Sequence, residues 1–186
     1  SLGISGCDFN NQLSRLFIST EGMPSSFQEG VIAYKNEDYA TALREWEILA
    51  KQGYSQAQNN VGFIYEKGIG VPVDLESAVK WYTLAAKQGN AFAQTNLGWM
   101  HERGKGVPAD DKQALKWWKL AAEQGSPRAQ YNLGVMYRNK RDEPPNNRTA
   151  VKWYRLAAKH GDAFAQYNLG VMYDKGKRVR RNYKNA

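Results

Sequence analysis

A spacing of 36 residues runs through most of the chain and constrains its fold more than any other feature. Alanine, glutamine and glycine each recur at this spacing, and their columns stay in phase with one another. The recurring residues are Ala57, Ala93, Ala129 and Ala165; Gln58, Gln94, Gln130 and Gln166; Gly62, Gly98, Gly134 and Gly170; Gly53, Gly89, Gly125 and Gly161; and Ala78, Ala114, Ala150 and Ala186. Such a period is typical of repeat proteins, in which stacked copies of one supersecondary unit share a continuous core.

Each repeat is predicted to form two helices. The first covers residues 91–103 in the second copy, and it follows a glycine and a polar residue suited to ending one helix and capping the next. It stops at the loop Gly104-Lys105-Gly106-Val107-Pro108, because glycine tolerates left-handed backbone and proline prevents re-entry into the helix. The second helix then begins after a capping residue, which is Asp74, Asp110 or Asn146 in successive copies.

The second helices combine small and aromatic residues at helical spacing. Small residues let two helix axes approach closely, and tryptophan and tyrosine are expected to fill the space beside them. The residues expected on the buried side are Ala78, Trp81 and Ala85 in one copy and Ala114, Trp117 and Ala121 in the next. One hairpin cannot bury such a face alone, so the pattern predicts an all-α fold, an α-solenoid of helix-turn-helix repeats.

The repeat pattern divides the chain into three segments. Residues 1–25 carry no repeat and are predicted to form a poorly ordered tether. Residues 26–53 are predicted to form a shorter first hairpin, because Asp38 and Ala42 keep the 36-residue register while the glycine-proline loop is absent. Residues 54–186 hold three full repeats and a truncated fourth, so we expect either a fragment of a longer array or an end face that oligomerisation covers.

Three motifs that recur in phase resemble the Sel-one-like repeat family, which is related to the tetratricopeptide repeat. They are the run Ala93-Gln94-Thr95-Asn96-Leu97-Gly98, the glycine-proline loop and the stretch Ala114-Leu115-Lys116-Trp117-Trp118-Lys119-Leu120-Ala121-Ala122. The leading hairpin is more similar to a plain tetratricopeptide unit, with Gly30 and Ala42 at its small-residue positions. The resemblance implies a right-handed superhelix and a role as an adaptor or scaffold. The third copy departs from it, since the stretch from Asn139 to Asn146 lacks the glycines.

The resemblance also implies where a partner binds, because the first helix of each unit lines the concave surface in tetratricopeptide arrays. By register, the peptide-binding residues are Asn60, Phe63, Phe92, Asn96, Trp99, Arg103, Arg128, Tyr131, Asn132, Phe164 and Asn168. The expected partner is a protein or peptide, with no small-molecule substrate.

One column of that predicted surface is asparagine in all four repeats, at Asn60, Asn96, Asn132 and Asn168. An amide both donates and accepts, so a ladder of amides could hold the backbone of an extended peptide while the aromatic residues anchor its side chains. Alternatively, the asparagines belong to the repeat's own structure and bond an adjacent helix. Both interpretations remain open at this point.

The net charge of +8 is concentrated at one end of the chain. Residues 175–186 hold six of the 26 basic residues and none of the 18 acidic ones, so the rest carries 20 basic and 18 acidic side chains, a formal charge of +2. A nucleic acid is therefore not the expected partner. A second hypothesis is that Lys175, Lys177, Arg178, Arg180 and Arg181 attract an anionic polymer or membrane surface, although a solvated terminus explains the same run.

The two histidines do not suggest catalysis. His101 falls in the column of Tyr65, Tyr137 and Tyr173, which predicts a packing role, and His160 falls near a helix end. Because no nucleophile or carboxylate pair completes a catalytic constellation, we predict that the chain is not an enzyme and uses no cofactor or metal. A cell-wall or β-lactam hydrolase is the third hypothesis, since cysteine-rich members of the family have been proposed to act on β-lactams, but their paired cysteines are missing.

The single cysteine, Cys7, closes the run Ile4-Ser5-Gly6-Cys7, which resembles a bacterial lipoprotein box without its preceding hydrophobic stretch. If Cys7 is lipidated, the repeats are anchored to a membrane in the periplasm. If the match is accidental, a cytoplasmic location is the alternative.

Overall fold

The computed structural model describes residue 16, residues 19–139 and residues 146–174. Every regular element in those ranges is an α-helix, which confirms the predicted all-α fold. The helices are α1 Ser25–Lys35, α2 Tyr39–Lys51, α3 Ser55–Lys67, α4 Leu75–Lys87, α5 Ala91–Arg103, α6 Asp111–Glu123, α7 Pro127–Asn139, α8 Asn147–Lys159 and α9 Ala163–Asp174. None of these helices is long and apolar enough to cross a lipid bilayer.

Some predictions fall outside the described residues and stay predictions. They concern Cys7, the part of the third loop at residues 140–145, and the basic residues Lys175, Lys177, Arg178, Arg180 and Arg181.

The chain divides into two compact units, Ser1–Ala114 and Leu115–Ala186. In the first unit, α2 packs against α1 and α3, and α4 packs against α3 and α5. In the second unit, α8 packs against both α7 and α9, and α7 also touches α9. Packing between sequence neighbours is how α-solenoid repeats build a core.

The helices begin at the predicted capping residues. The Asp74 carboxylate accepts a hydrogen bond from the Ser77 amide at 2.9 Å, and the Asn90 side chain accepts one from the Ala93 amide at 3.0 Å. The same type of bond is made by Asp38, Asp110, Ser126, Asn146 and Asp162. Each bond satisfies a backbone donor that has no partner inside the helix. The α7 helix begins at Pro127, as predicted.

The two glycine-proline loops need glycine at the predicted places. Gly68 and Gly104 end α3 and α5 with φ of 65° and 63°, and Gly70 and Gly106 have φ of 71° and 69°. This left-handed backbone is disfavoured for residues with a side chain. The loops therefore turn the chain into the second helix because of their glycines.

The second helices bury the aromatic residue one position after the predicted one. Tyr82, Trp118 and Tyr154 are 0%, 3% and 0% exposed. Trp81, Trp117 and Trp153 are only half-buried. The tyrosines therefore fill the core as expected, whereas these three tryptophans lie at the edge of the buried side, and the helical period explains why. The buried side of α4 is centred between Ala78 and Ala85, where Tyr82 lies, and Trp81 falls at its edge.

The first hairpin repeats this packing with a shorter connection. Trp46 lies 36 residues before Tyr82, is fully buried, and donates its indole N–H to the Phe27 carbonyl at 3.3 Å. A Cβ atom added to Gly30 would lie 2.7 Å from Trp46 Cδ1, and one added to Gly62 would lie 2.9 Å from Tyr82 Cδ1. Both of these hairpins therefore fit an aromatic ring against a glycine of the preceding helix.

The glutamine column joins each repeat to the next. Gln58 Nε2 donates to the Ala50 carbonyl at 3.0 Å, and Gln94 Nε2 donates to the Ala86 carbonyl at 3.1 Å. Gln130 and Gln166 make the same bond to Ala122 and Ala158. These carbonyls belong to the last turn of a second helix, and each also accepts from the amide of the glycine that follows the helix, so the glutamine is a second donor. The column therefore ties the end of one hairpin to the start of the following one.

Candidate functional site

The predicted peptide-binding residues lie on α3, α5, α7 and α9, and we call them the first-helix surface. The structure exposes their aromatic side chains unequally. Phe63 is 0% exposed, Phe92 is 38% exposed and Phe164 is 70% exposed, while Trp99 and Tyr131 are half-buried. Phe63 therefore packs inside the first unit, and the other four present apolar surface to solvent.

The asparagine column is internal in the first unit. Asn96 Nδ2 donates to Asn59 Oδ1 at 3.0 Å, and Asn59 Nδ2 donates to Asn60 Oδ1 at 3.2 Å. All three side chains are buried, with exposures of 0–2%. This chain of amides links α3 to α5, so for Asn60 and Asn96 the geometry favours the structural interpretation over the peptide ladder.

Replacing Asn96 by alanine is expected to lower the free energy of unfolding by about 1–2 kcal/mol, because the buried Asn59 oxygen loses a donor. Urea denaturation followed by circular dichroism measures this loss. Asn132→Ala is the matched control, since Asn132 occupies the same column but is half-buried. Equal losses from the two variants would contradict the buried role of Asn96.

Trp99 forms the centre of a mixed patch in the first unit. The Lys67 and Lys105 ammonium groups lie 5.8 Å and 5.0 Å from its ring centroid, close enough for cation–π attraction. Lys67 also pairs with Glu66 at 3.1 Å. Sequence reasoning missed Lys105, because it lies in the glycine loop and its equivalent in the first repeat is Ile69.

The second unit carries a more exposed aromatic group. The Tyr131 and Phe164 rings lie 6.1 Å apart between centroids, and Tyr167, one turn beyond Phe164, is 72% exposed. Asn168 donates to the Phe164 carbonyl at 3.0 Å and accepts from Arg138 Nη1 at 2.6 Å. Asn168 is half-buried, so in this unit the column still reaches solvent.

The two predicted arginines of the surface differ in exposure. Arg103 is exposed and pairs with Glu102 at 2.6 Å, whereas Arg128 is half-buried. An exposed ion pair between neighbours contributes little to stability. Arg103 is therefore available to exchange Glu102 for a group on a partner.

The histidines occupy structural positions. His101 is half-buried in α5, and burial lowers its pKa although Asp110 acts in the opposite direction. His160 is the C-terminal capping residue of α8. Within the described ranges, no group of three or more histidine, cysteine, aspartate or glutamate side chains could hold a metal ion.

Comparison with known proteins gives a consistent result. The family model described as the Sel1 repeat matches residues 55–90, 91–126, 127–162 and 163–186. A crystal structure of a Sel1 repeat protein from Oxalobacter formigenes is 36% identical, with a TM-score of 0.77 over 86% of this chain and 63% of that one. A protective antigen of uropathogenic Escherichia coli strains, which displays an SLR fold, is also 36% identical, with a TM-score of 0.79 over 86% of this chain and 35% of that one. No curated protein matches the sequence.

Proposed function

The chain belongs to the Sel1 repeat family, and on that premise we propose that it is a non-catalytic scaffold that binds a protein or peptide along its first-helix surface. Solenoid repeat proteins use extended surfaces for binding, and each of the two units presents first-helix side chains that differ between repeats. The proposal concerns this stretch of repeats, which spans 63% and 35% of the two similar structures.

The observation that carries the proposal is the exposure of large aromatic side chains at first-helix positions. Phe164 and Phe92 expose 70% and 38% of their surface, and Trp99 and Tyr131 are half-buried. Exposing an aromatic side chain to water costs free energy, and aromatic side chains supply much of the binding energy in protein interfaces. Phe92 and Phe164 share one register position and all four side chains lie on first helices, so each unit is suited to burying its own aromatic side chains against a partner.

The roles of the polar residues follow their burial. Asn60 and Asn96 hold α3 against α5, so they act by fixing the spacing of the surface. Asn132, Asn168 and Arg128 keep partial exposure and can bond a peptide backbone or side chain directly. The amide ladder is therefore proposed for the second unit alone.

The proposal is tested with peptides selected from a displayed random library on the immobilised full chain. Trp99→Ala and Phe164→Ala are expected to weaken binding of such a peptide about tenfold or more, as interface aromatic truncations do. Isothermal titration calorimetry measures the affinities. Leu84→Ala and Leu120→Ala are controls, because these leucines are 48% and 38% exposed but lie on second helices.

Salt separates this proposal from binding through the basic residues at 175–186. Contacts dominated by apolar burial change little between low and moderate salt, whereas binding to an anionic polymer falls steeply. Affinity lost equally in all four alanine variants, or lost on adding salt, would contradict a binding site built on the first helices.

A further inference from the structure

A tyrosine hydroxyl lies buried in the second unit without a hydrogen-bond partner among the described residues. Tyr154 is 0% exposed, and its oxygen is closed from solvent. Buried polar groups almost always have partners, because leaving one unpaired costs free energy. This hydroxyl therefore calls for a specific explanation.

The equivalent tyrosine of the first unit does have a partner. Tyr82 lies 72 residues before Tyr154, and its hydroxyl donates to the Glu66 carboxylate at 2.9 Å. That carboxylate is itself buried and pairs with Lys67 at 3.1 Å. In the first unit, the Glu66 carboxylate thus serves as the internal acceptor for the tyrosine hydroxyl.

Two repeats later, the position of Glu66 is occupied by Arg138. Arginine has five donors and no acceptor, so it cannot receive the tyrosine proton as glutamate does. Arg138 is half-buried and donates to Asn168 Oδ1 at 2.6 Å. At this register position, the first unit therefore has an acceptor for the tyrosine proton and the second unit has a further donor.

The hydroxyl of Tyr154 remains protonated at neutral pH. Burial raises its pKa to about 12, although the Arg138 charge acts to lower it. The hydroxyl and the Arg138 guanidinium influence each other electrostatically and are both donors, so one anion can satisfy both. Charge-assisted bonds of this kind are among the strongest in proteins.

We propose that Tyr154 and Arg138 bind a carboxylate of the partner peptide, which takes the place that the Glu66 carboxylate holds in the first unit. Arg138 is the half-buried member of the pair, and in the free protein it donates to the side-chain oxygens of Asn139 and Asn168, bonds that the carboxylate would replace. Tyr131 lies next to Tyr154, with 5.9 Å between the ring centroids, and Phe164 lies 6.1 Å from Tyr131. An apolar side chain adjacent to the carboxylate would pack on them. The inference rests on the proposed function and names the chemistry that this part of the surface recognises.

An ordered water molecule could also satisfy the hydroxyl, but it would give no preference for a charged ligand. The test therefore compares matched probes in nuclear magnetic resonance titrations of the full chain. N-acetyl-Ala-Phe with a free carboxylate is compared with its amide, and N-acetyl-Asp-Phe amide carries the carboxylate on a side chain instead. Amidation of the first probe is expected to weaken binding about tenfold or more. The third probe shows whether a side-chain carboxylate is also accepted.

Three variants separate carboxylate binding from a structural role. Arg138→Glu restores the arrangement of the first unit, so it is expected to abolish binding of the acid without lowering the melting temperature. Tyr154→Phe is expected to weaken binding of the acid probe several-fold and to leave the melting temperature unchanged. Tyr82→Phe is the matched control, since it removes a bond that the chain already makes: the melting temperature should fall and the affinity for the acid should not change.

The outcomes distinguish this inference from the proposed function. If the acid and its amide bind with equal affinity, or if Arg138→Glu leaves the binding of the acid unchanged, the carboxylate site is overturned even where library peptides still require Phe164. If the library yields no binding peptide, the proposed function fails, whatever the acid probe does.

Discussion

Trp118→Ala is expected to lower the free energy of unfolding by about 3–5 kcal/mol, the usual loss when a large aromatic side chain is removed from a core. Only 3% of this side chain is exposed, and it belongs to the column of Trp46, Tyr82 and Tyr154 that fills the space beneath the first helices. The substitution leaves a cavity that the neighbouring helices cannot close by local movement. Urea denaturation monitored by circular dichroism gives the value.

The adjacent tryptophan is the control for this prediction. Trp117 is half-buried and lies under the Lys116 ammonium, which is 5.4 Å from its ring centroid. Trp117→Ala is expected to cost about 1–2 kcal/mol, because part of its surface already faces water. Losses of the same size in both variants would show that the register of the second helices has been assigned incorrectly.

Gly134→Val is expected to destabilise the chain by about 3 kcal/mol, through overpacking. A Cβ atom at this position would lie 2.6 Å from both Cδ1 and Cε1 of the Tyr154 ring, and a β-branched side chain would add two more carbons there. The ring is fully buried and has little room to move. The loss is expected although valine is a better helix former than glycine.

Gly170 provides the matched comparison, since it belongs to the same 36-residue column and is exposed. No described atom lies within 4 Å of a Cβ built there. Gly170→Val is therefore expected to leave the melting temperature unchanged or slightly higher. A fall in melting temperature as large as that of Gly134→Val would mean that contact with the tyrosine ring does not explain the glycine column.

Local features of the fold could be predicted from the sequence because they depend on neighbouring residues. The capping bonds of Asp74 and Asn90 and the left-handed glycines at Gly68 and Gly104 follow from residue type and spacing. The buried aromatic column was misplaced by one residue because Trp81 and Tyr82 both fit a helical period near the alanines. Only the packing of α4 on α3 decides which of the two faces inward.

The candidate site was harder to predict because periodicity does not report burial. Four asparagines at one register position fit a peptide ladder and an internal bond equally well, and only the bonds from Asn96 to Asn59 and from Asn59 to Asn60 distinguish the two in the first unit. The change from Glu66 to Arg138 is visible in the sequence. Its consequence depends on the bond between Tyr82 and Glu66, which no sequence pattern indicates.

Mapping a selected library peptide onto the full chain by nuclear magnetic resonance tests peptide binding by the first helices most directly. The expected shifts are centred on the Trp99 indole and on the amides around Phe92, Tyr131 and Phe164, with the second helices unchanged. Shifts centred instead on exposed second-helix residues such as Leu84 and Leu120 would contradict it.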